Sequence, residues 1–146
     1  MKVRDAMSSE VVSISRDDTL HTAVSKMVMH NSAQVTIADA DGKLIGIVTV
    51  RDVMLPLYPQ QGDYVHDSLH ARDFEAMEEN YGKVLAMKAG DVMTANPVHV
   101  SPDDSVLKAA SFMGLKNLRR IPVVVDGKEV GILSIESINN ALFLNR

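Results

Sequence analysis

At 146 residues, 46% apolar and 23% charged, the chain is long enough for one sizeable core and has the make-up of an ordinary globular protein. The absence of cysteine excludes disulfides and thiolate chemistry, and a net charge of -4 with few aromatics argues against a basic, base-stacking nucleic-acid face. No apolar run approaches the ~20 residues that span a bilayer, and Met1-Lys2-Val3-Arg4-Asp5 leads into no apolar signal core, so a cytoplasmic location is expected.

In chain order, Lys2 to Met7 predicts a short helical turn and Val11 to Ile14 a short strand. Ser15-Arg16-Asp17-Asp18-Thr19 gathers turn formers and N-caps. Leu20, Ala23, Val24, Met27 and Val28 then fall on one helical face, with the methionines as core filler. Gln34 to Ala38 reads as a strand, Asp39-Ala40-Asp41-Gly42 as a hairpin turn, and Leu44 to Val50 as the returning strand. An insert follows. Leu55 to Tyr64 carries loop prolines and glycine, and from about Ser68 a helix is expected, with Leu69, Phe74, Met77, Tyr81, Val84 and Leu85 as contacts.

After the insert the pattern recurs. Lys88 to Met93 matches Lys2 to Met7, and Pro97 to Val100 is the expected strand. Ser101 to Ser105 repeats the caps, and Val106, Ala109, Ala110 and Met113 repeat the helical spacing with Gly114 in the last place. Arg120 to Val125 and Glu129 to Ile135 flank the Asp126-Gly127 turn. Pro122 inside its strand suggests an edge or an interrupted ladder. The order is β-α-β-β-α, twice, and two halves too small to be stable apart are expected to share a core.

Each repeat ends at a strand-to-helix corner. Thr49 and Asp52 in Gly46-Ile47-Val48-Thr49-Val50-Arg51-Asp52-Val53 place a hydroxyl and a carboxylate three residues apart. Such a pair could accept two hydrogen bonds from a ribose diol, beside a helix start that favours phosphate. Equally, Thr-x-x-Asp is a variant capping box. The second corner, Gly131 to Ile138, carries Ser134 and Ser137 instead.

These motifs in order, the Asp-Asp-Thr/Ser helix start, the Asp-Gly turn and the Gly-Ile-Val/Leu-Thr/Ser-x-x-Asp corner, resemble the CBS domain, and two in tandem resemble a CBS pair, or Bateman module. The resemblance implies an α/β (α+β) fold of two repeats, 1–54 and 88–146, packed with pseudo-twofold symmetry around a 55–87 insert, with two clefts between them. Such modules commonly bind adenine nucleotides, sometimes other adenosyl ligands, and regulate an attached or associated protein.

Carried over by motif, Thr49 and Asp52 are expected to hold ribose, and Ile47 and Leu118 to flank adenine. Thr94 and His99 would stand nearby, with Arg119 as the phosphate contact that adds a fixed charge. A second cleft would use Ser8, Ser13, Ser32, Ala33, Arg120, Ser134 and Ser137. Because Ser137 stands where the ribose-binding aspartate should be, that cleft should bind more weakly or take another ligand. The expected ligand is AMP, ADP, ATP or S-adenosylmethionine, with no required cofactor. The expected partners are a second copy of the chain in a homodimer and a regulated protein, with no nucleic acid or membrane.

Two rivals remain. One is an association module that never binds nucleotide, with the insert helix and the final helices as contact surfaces, and the Leu142-Phe143-Leu144 end could contribute to a dimer contact. The other is a metal site at His66 and His70, one helical turn apart near Asp63 and Asp73. Zincin chemistry lacks its glutamate there, and no serine nucleophile motif is present, so no enzyme activity is expected.

Overall fold

The computed structural model describes residues 1–57 and 74–145. Along these, β1 (Ser13–Ser15), α1 (Leu20–Met29), β2 (Gln34–Ala38), β3 (Leu44–Thr49) and α2 (Val50–Met54) form the first repeat. The helices α3 (Phe74–Leu85) and α4 (Ala89–Val92) follow, then β4 (Thr94–Ala95), α5 (Val106–Leu115), β5 (Arg120–Val125), β6 (Lys128–Ser134) and α6 (Ile135–Leu144). Short 3-10 helices cover Val3–Asp5 and Leu55–Leu57. The strands β1-β2-β3-β4 lie in that order in one sheet, and β5 and β6 form an antiparallel pair.

Local chemistry explains the elements. Thr49 and Ser134 cap α2 and α6, while Thr19 and Ser105 cap α1 and α5 by accepting from Thr22 N–H and Leu107 N–H. Both hairpin turns use a glycine at φ +82°, Gly42 and Gly127, a conformation that a Cβ would strain. The β5–β6 register runs through Pro122, which lies opposite Ile132, and shifts only beyond it, between Val123 and Val124. The expected Pro97–Val100 strand contracts to one parallel bridge, in which Val100 N–H donates to Pro122 O and Val100 O accepts from Val124 N–H.

The chain divides into two compact units, and they do not follow the repeats end to end. One contains Met1–Val12, Ala38–Ile45 and Asn96–Arg146; the other contains Ser13–Ile37 and Gly46–Ala95. Each repeat's lead-in segment therefore packs with the body of the other repeat. Val3 lies in a buried cluster with Val100, Val106, Ala109, Met113, Ile121, Val123, Leu133 and Ile138. Ala89, the counterpart of Val3, is wholly buried in the other unit.

Three packing expectations need correction. Val28 is 76% exposed, so the buried face of α1 is narrowed to Leu20, Ala23 and Met27. The strand expected at Val11–Ile14 is observed at Ser13–Ser15, because the chain passes from one unit to the other after Val12. In α3, Val84 is buried, whereas Phe74 is 55% exposed. Leu69, at the start of that expected helix, lies outside the described residues.

The loop before α5 carries a charge that depends on its fold. Ser101 N–H donates to Asp104 Oδ2 at 2.9 Å and holds that carboxyl below the usual carboxylate range; burial opposes the shift, while Lys108 at 3.2 Å and nearby His99 add to it. A carboxyl whose folded pKa is lowered contributes stability above its unfolded value of about 3.9 and loses it as pH falls through the folded value. Asp104→Asn is thus expected to lower Tm by about 3 °C at pH 7, a gap that closes on acidification through this window in a Tm-versus-pH series.

Candidate functional site

The first corner is a closed capping box. Thr49 N–H and Thr49 Oγ1 both donate to Asp52 Oδ2, at 2.8 and 3.1 Å, while Asp52 N–H donates to Thr49 Oγ1 at 3.4 Å. The structural role left open by the sequence is therefore real. It uses only one of the two carboxylate oxygens. The serine corner closes the same box without charge. Ser134 N–H donates to Ser137 Oγ at 3.1 Å, Ser137 N–H donates to Ser134 Oγ at 3.0 Å, and Ser137 Oγ donates to Ser134 O at 2.9 Å.

The β3 strand presents its corner beside a borrowed edge. The short strand β4 pairs antiparallel with β3, placing Gly46 opposite Ala95 and Ile47 opposite Thr94. Gly46 permits this because a Cβ there would crowd the Met93 side chain and lie 3.2 Å from Thr94 O. Ile47, Thr49, Asp52 and Thr94 thus gather in one unit, with Ile47, Thr49 and Asp52 partly buried and Thr94 exposed. Val50 N–H donates to Ala33 O at 2.9 Å, so Ala33, with Ser32 next to it, also borders this corner.

The serine corner repeats the arrangement in the other unit. Ser8 forms an antiparallel bridge with Ile132, and Arg120 lies opposite Ser134 in the β5–β6 register. Ile135 N–H donates to Arg119 O at 3.0 Å, so Arg119 borders this corner as Ala33 borders the first. Its guanidinium is already engaged, since Nη2 donates to Glu136 Oε1 at 2.9 Å. Glu136's own backbone N–H and then Arg119 hold the Glu136 carboxyl below the usual range. Glu136 is a feature that sequence reasoning missed; its signal was charge reversal, since it occupies the place of Arg51 in the repeated pattern.

Of the first predicted set, Ile47, Thr49, Asp52 and Thr94 fall in one unit and His99, Leu118 and Arg119 in the other. His99 is exposed, with Nδ1 3.1 Å from Pro97 O, and Leu118 packs partly buried against the core of its unit. Of the second set, Ser8, Arg120, Ser134 and Ser137 fall in one unit and Ser13, Ser32 and Ala33 in the other. The expected metal ligands His66 and His70, with Asp63 and Asp73, lie outside the described residues. Among the described residues no group of three His, Cys, Asp or Glu could hold a metal ion. No helix among them is long and apolar enough to cross a membrane.

Comparison with known proteins gives a consistent picture. The model of the CBS domain matches residues 3–57 and 89–144. The uncharacterized protein YlbB of Bacillus subtilis is 30% identical over 135 residues, which make up 92% of this chain and 77% of YlbB. The crystal structure of the CBS domain of a CBS domain-containing membrane protein from Sphaerobacter thermophilus is 30% identical, with a TM-score of 0.72 over 97% of this chain and 87% of that one. CBSX2 from Arabidopsis thaliana, solved in complex with AMP, is 26% identical, with a TM-score of 0.70 over 99% of this chain and 98% of that one.

Proposed function

The chain belongs to the CBS-domain family, and on that premise we propose that it is a regulatory CBS pair that binds an adenine nucleotide at the Thr49–Asp52 corner and acts on a partner protein in trans. The observation that carries this reading is the surplus oxygen of Asp52. Ser137 closes the equivalent box with a neutral hydroxyl, so capping alone does not require a carboxylate. Asp52 closes its box through Oδ2, and among the described residues no bond engages Oδ1, which is left to accept from a ribose hydroxyl. Ile47, two residues before Thr49 in β3, and Thr94 opposite it offer an apolar side chain and a hydroxyl in the same unit. The AMP complex of CBSX2, 26% identical over nearly the whole chain, supports AMP as the first ligand to try, with ADP, ATP and S-adenosylmethionine beside it.

The serine corner lacks the charged acceptor, and its neighbouring Arg119 is paired with Glu136. A phosphate drawn to Arg119 meets the Glu136 carboxylate already beside it. This supports weaker binding, or a different ligand, at the second corner. Regulation follows if the nucleotide binds two states of the protein unequally, because a ligand of equal affinity shifts nothing. Self-association belongs to the same reading, since Phe143 and Leu144 at the end of α6 are 73% and 78% exposed.

Asp52→Ser tests the assignment, because it copies position 137 and preserves the cap. In a thermal-shift titration, the parent at ~100 times the dissociation constant should gain ~2.7 kcal/mol, or several degrees. The variant should keep its ligand-free Tm and lose ~30-fold or more in affinity, as expected for removing a charge-assisted acceptor worth ~2 kcal/mol. Full retention of affinity in Asp52→Ser, or no response of the parent to any of the four ligands, would leave the association module as the better account.

A further inference from the structure

We infer that four positions, Arg4, Pro102, Arg16 and Gly90, form a matching code that dictates which lead-in segment can complete which half of the protein. This inference is independent of nucleotide binding. The two junctions are otherwise built alike. In one, Val3 N–H donates to Asp104 O at 2.8 Å, Arg4 N–H to Pro102 O at 3.0 Å, and Val106 N–H to Met1 O at 3.0 Å. In the other, Ala89 N–H donates to Asp18 O at 2.8 Å, Gly90 N–H to Arg16 O at 2.9 Å, and Leu20 N–H to Met87 O at 2.8 Å. Even the flanking ion pairs correspond, Lys2 to Asp103 at 3.8 Å and Lys88 to Asp17 at 3.7 Å.

The junctions differ in the side from which an arginine reaches across. Arg4 projects from the lead-in segment to ion-pair with Asp103, and the facing loop residue is Pro102, which adds no long side chain. In the other junction the arginine belongs to the loop. Arg16 folds over Gly90, so that a Cβ at position 90 would lie 3.0 Å from both Arg16 Cβ and Arg16 O and 3.2 Å from Arg16 Nε. The glycine is favoured by that close approach and not by its backbone angle, which is ordinary.

The mismatched combinations follow directly. The first lead-in segment on the first loop would set Arg4 against Arg16, joining a steric conflict to like-charge repulsion. The second lead-in segment on the second loop would set Gly90 against Pro102 and leave Asp103 without its guanidinium. The loop at Arg16–Asp18 therefore accepts only a segment of the second type, whether from the same chain or from a second copy. Pairing of two first repeats is disfavoured, and the exchanged topology is specified by side chains as well as by connectivity.

A double-mutant cycle in the full chain tests the code. Gly90→Arg should lower Tm by about 5–10 °C. Adding Arg16→Pro rebuilds the Arg4/Pro102 junction, with Asp17 standing where Asp103 does, and should restore at least half of that loss. The reciprocal cycle, Pro102→Arg with and without Arg4→Gly, should behave in the same way. If Gly90→Arg fails to fold, a folded Gly90→Arg/Arg16→Pro variant still supports the code. A neutral Gly90→Arg, or losses that simply add in both cycles, would overturn it.

Discussion

Gly131→Ala is expected to lower Tm by about 10 °C, corresponding to ~3 kcal/mol for a chain of this size, although it adds a single methyl group. The cause is proximity and not backbone strain, since Gly131 does not adopt a positive φ. A Cβ at this position would fall well inside van der Waals contact with Ser8 O, and 2.8 Å from Met7 Cε. Ser8 exchanges two backbone hydrogen bonds with Ile132, both at 2.9 Å, so its carbonyl cannot withdraw without losing them. Two such bonds contribute ~1 kcal/mol each, and withdrawal also loosens the segment that carries buried Val3.

Gly46→Ala supplies the comparison within one molecule. Its Cβ would crowd chiefly the Met93 side chain, a flexible neighbour, with Thr94 O more distant at 3.2 Å. Met93 can turn aside where the Ser8 carbonyl cannot. Thermal denaturation of the two variants should therefore rank Gly131→Ala as the more damaging, and equal losses would contradict the steric account. Limited proteolysis near Ser8–Val12 should report the released segment in Gly131→Ala.

Much of the fold was legible because its signals are local. Hydrophobic spacing marked α1 and α5, Asp-Gly marked both hairpins, and Thr19 and Ser105 marked the helix starts where their caps are found. The exchange of lead-in segments was not legible, because a periodic pattern identifies an element without saying against which neighbour it docks. Only Gly46 and Gly131 hinted at it, as strand positions kept free of a Cβ. At the candidate site, Thr49 and Asp52 could be found from their spacing, and the capping geometry could be expected with them. The pairing of Arg119 with Glu136 could not, since it joins residues 17 apart, one just before β5 and the other in α6. Charge alone offered Arg119 to a phosphate without revealing the carboxylate already beside it.

Leu133→Ala is expected to cost ~3–5 kcal/mol and about 10–15 °C in Tm, the largest loss foreseen for a single truncation in this chain. Leu133 is 0% exposed in β6 and belongs to the cluster that includes Val3, Met113, Ile121 and Ile138. That cluster draws on the first lead-in segment, the bridge segment at Val100, a strand pair and two helices, so no one element can shift to fill the space. Truncation removes the transfer free energy of the lost methyl groups and leaves a cavity, and the two costs add. The repeat provides the scale for judging this result. Val48, also 0% exposed, stands in the corresponding place one residue before Thr49, as Leu133 stands one residue before Ser134. Leu133→Val copies that position and removes one methylene, which should cost only ~1 kcal/mol. A Leu133→Ala loss no greater than that of Leu133→Val would mean that the surrounding elements collapse into the gap, and that this core is less rigid than its composition from several separate parts requires.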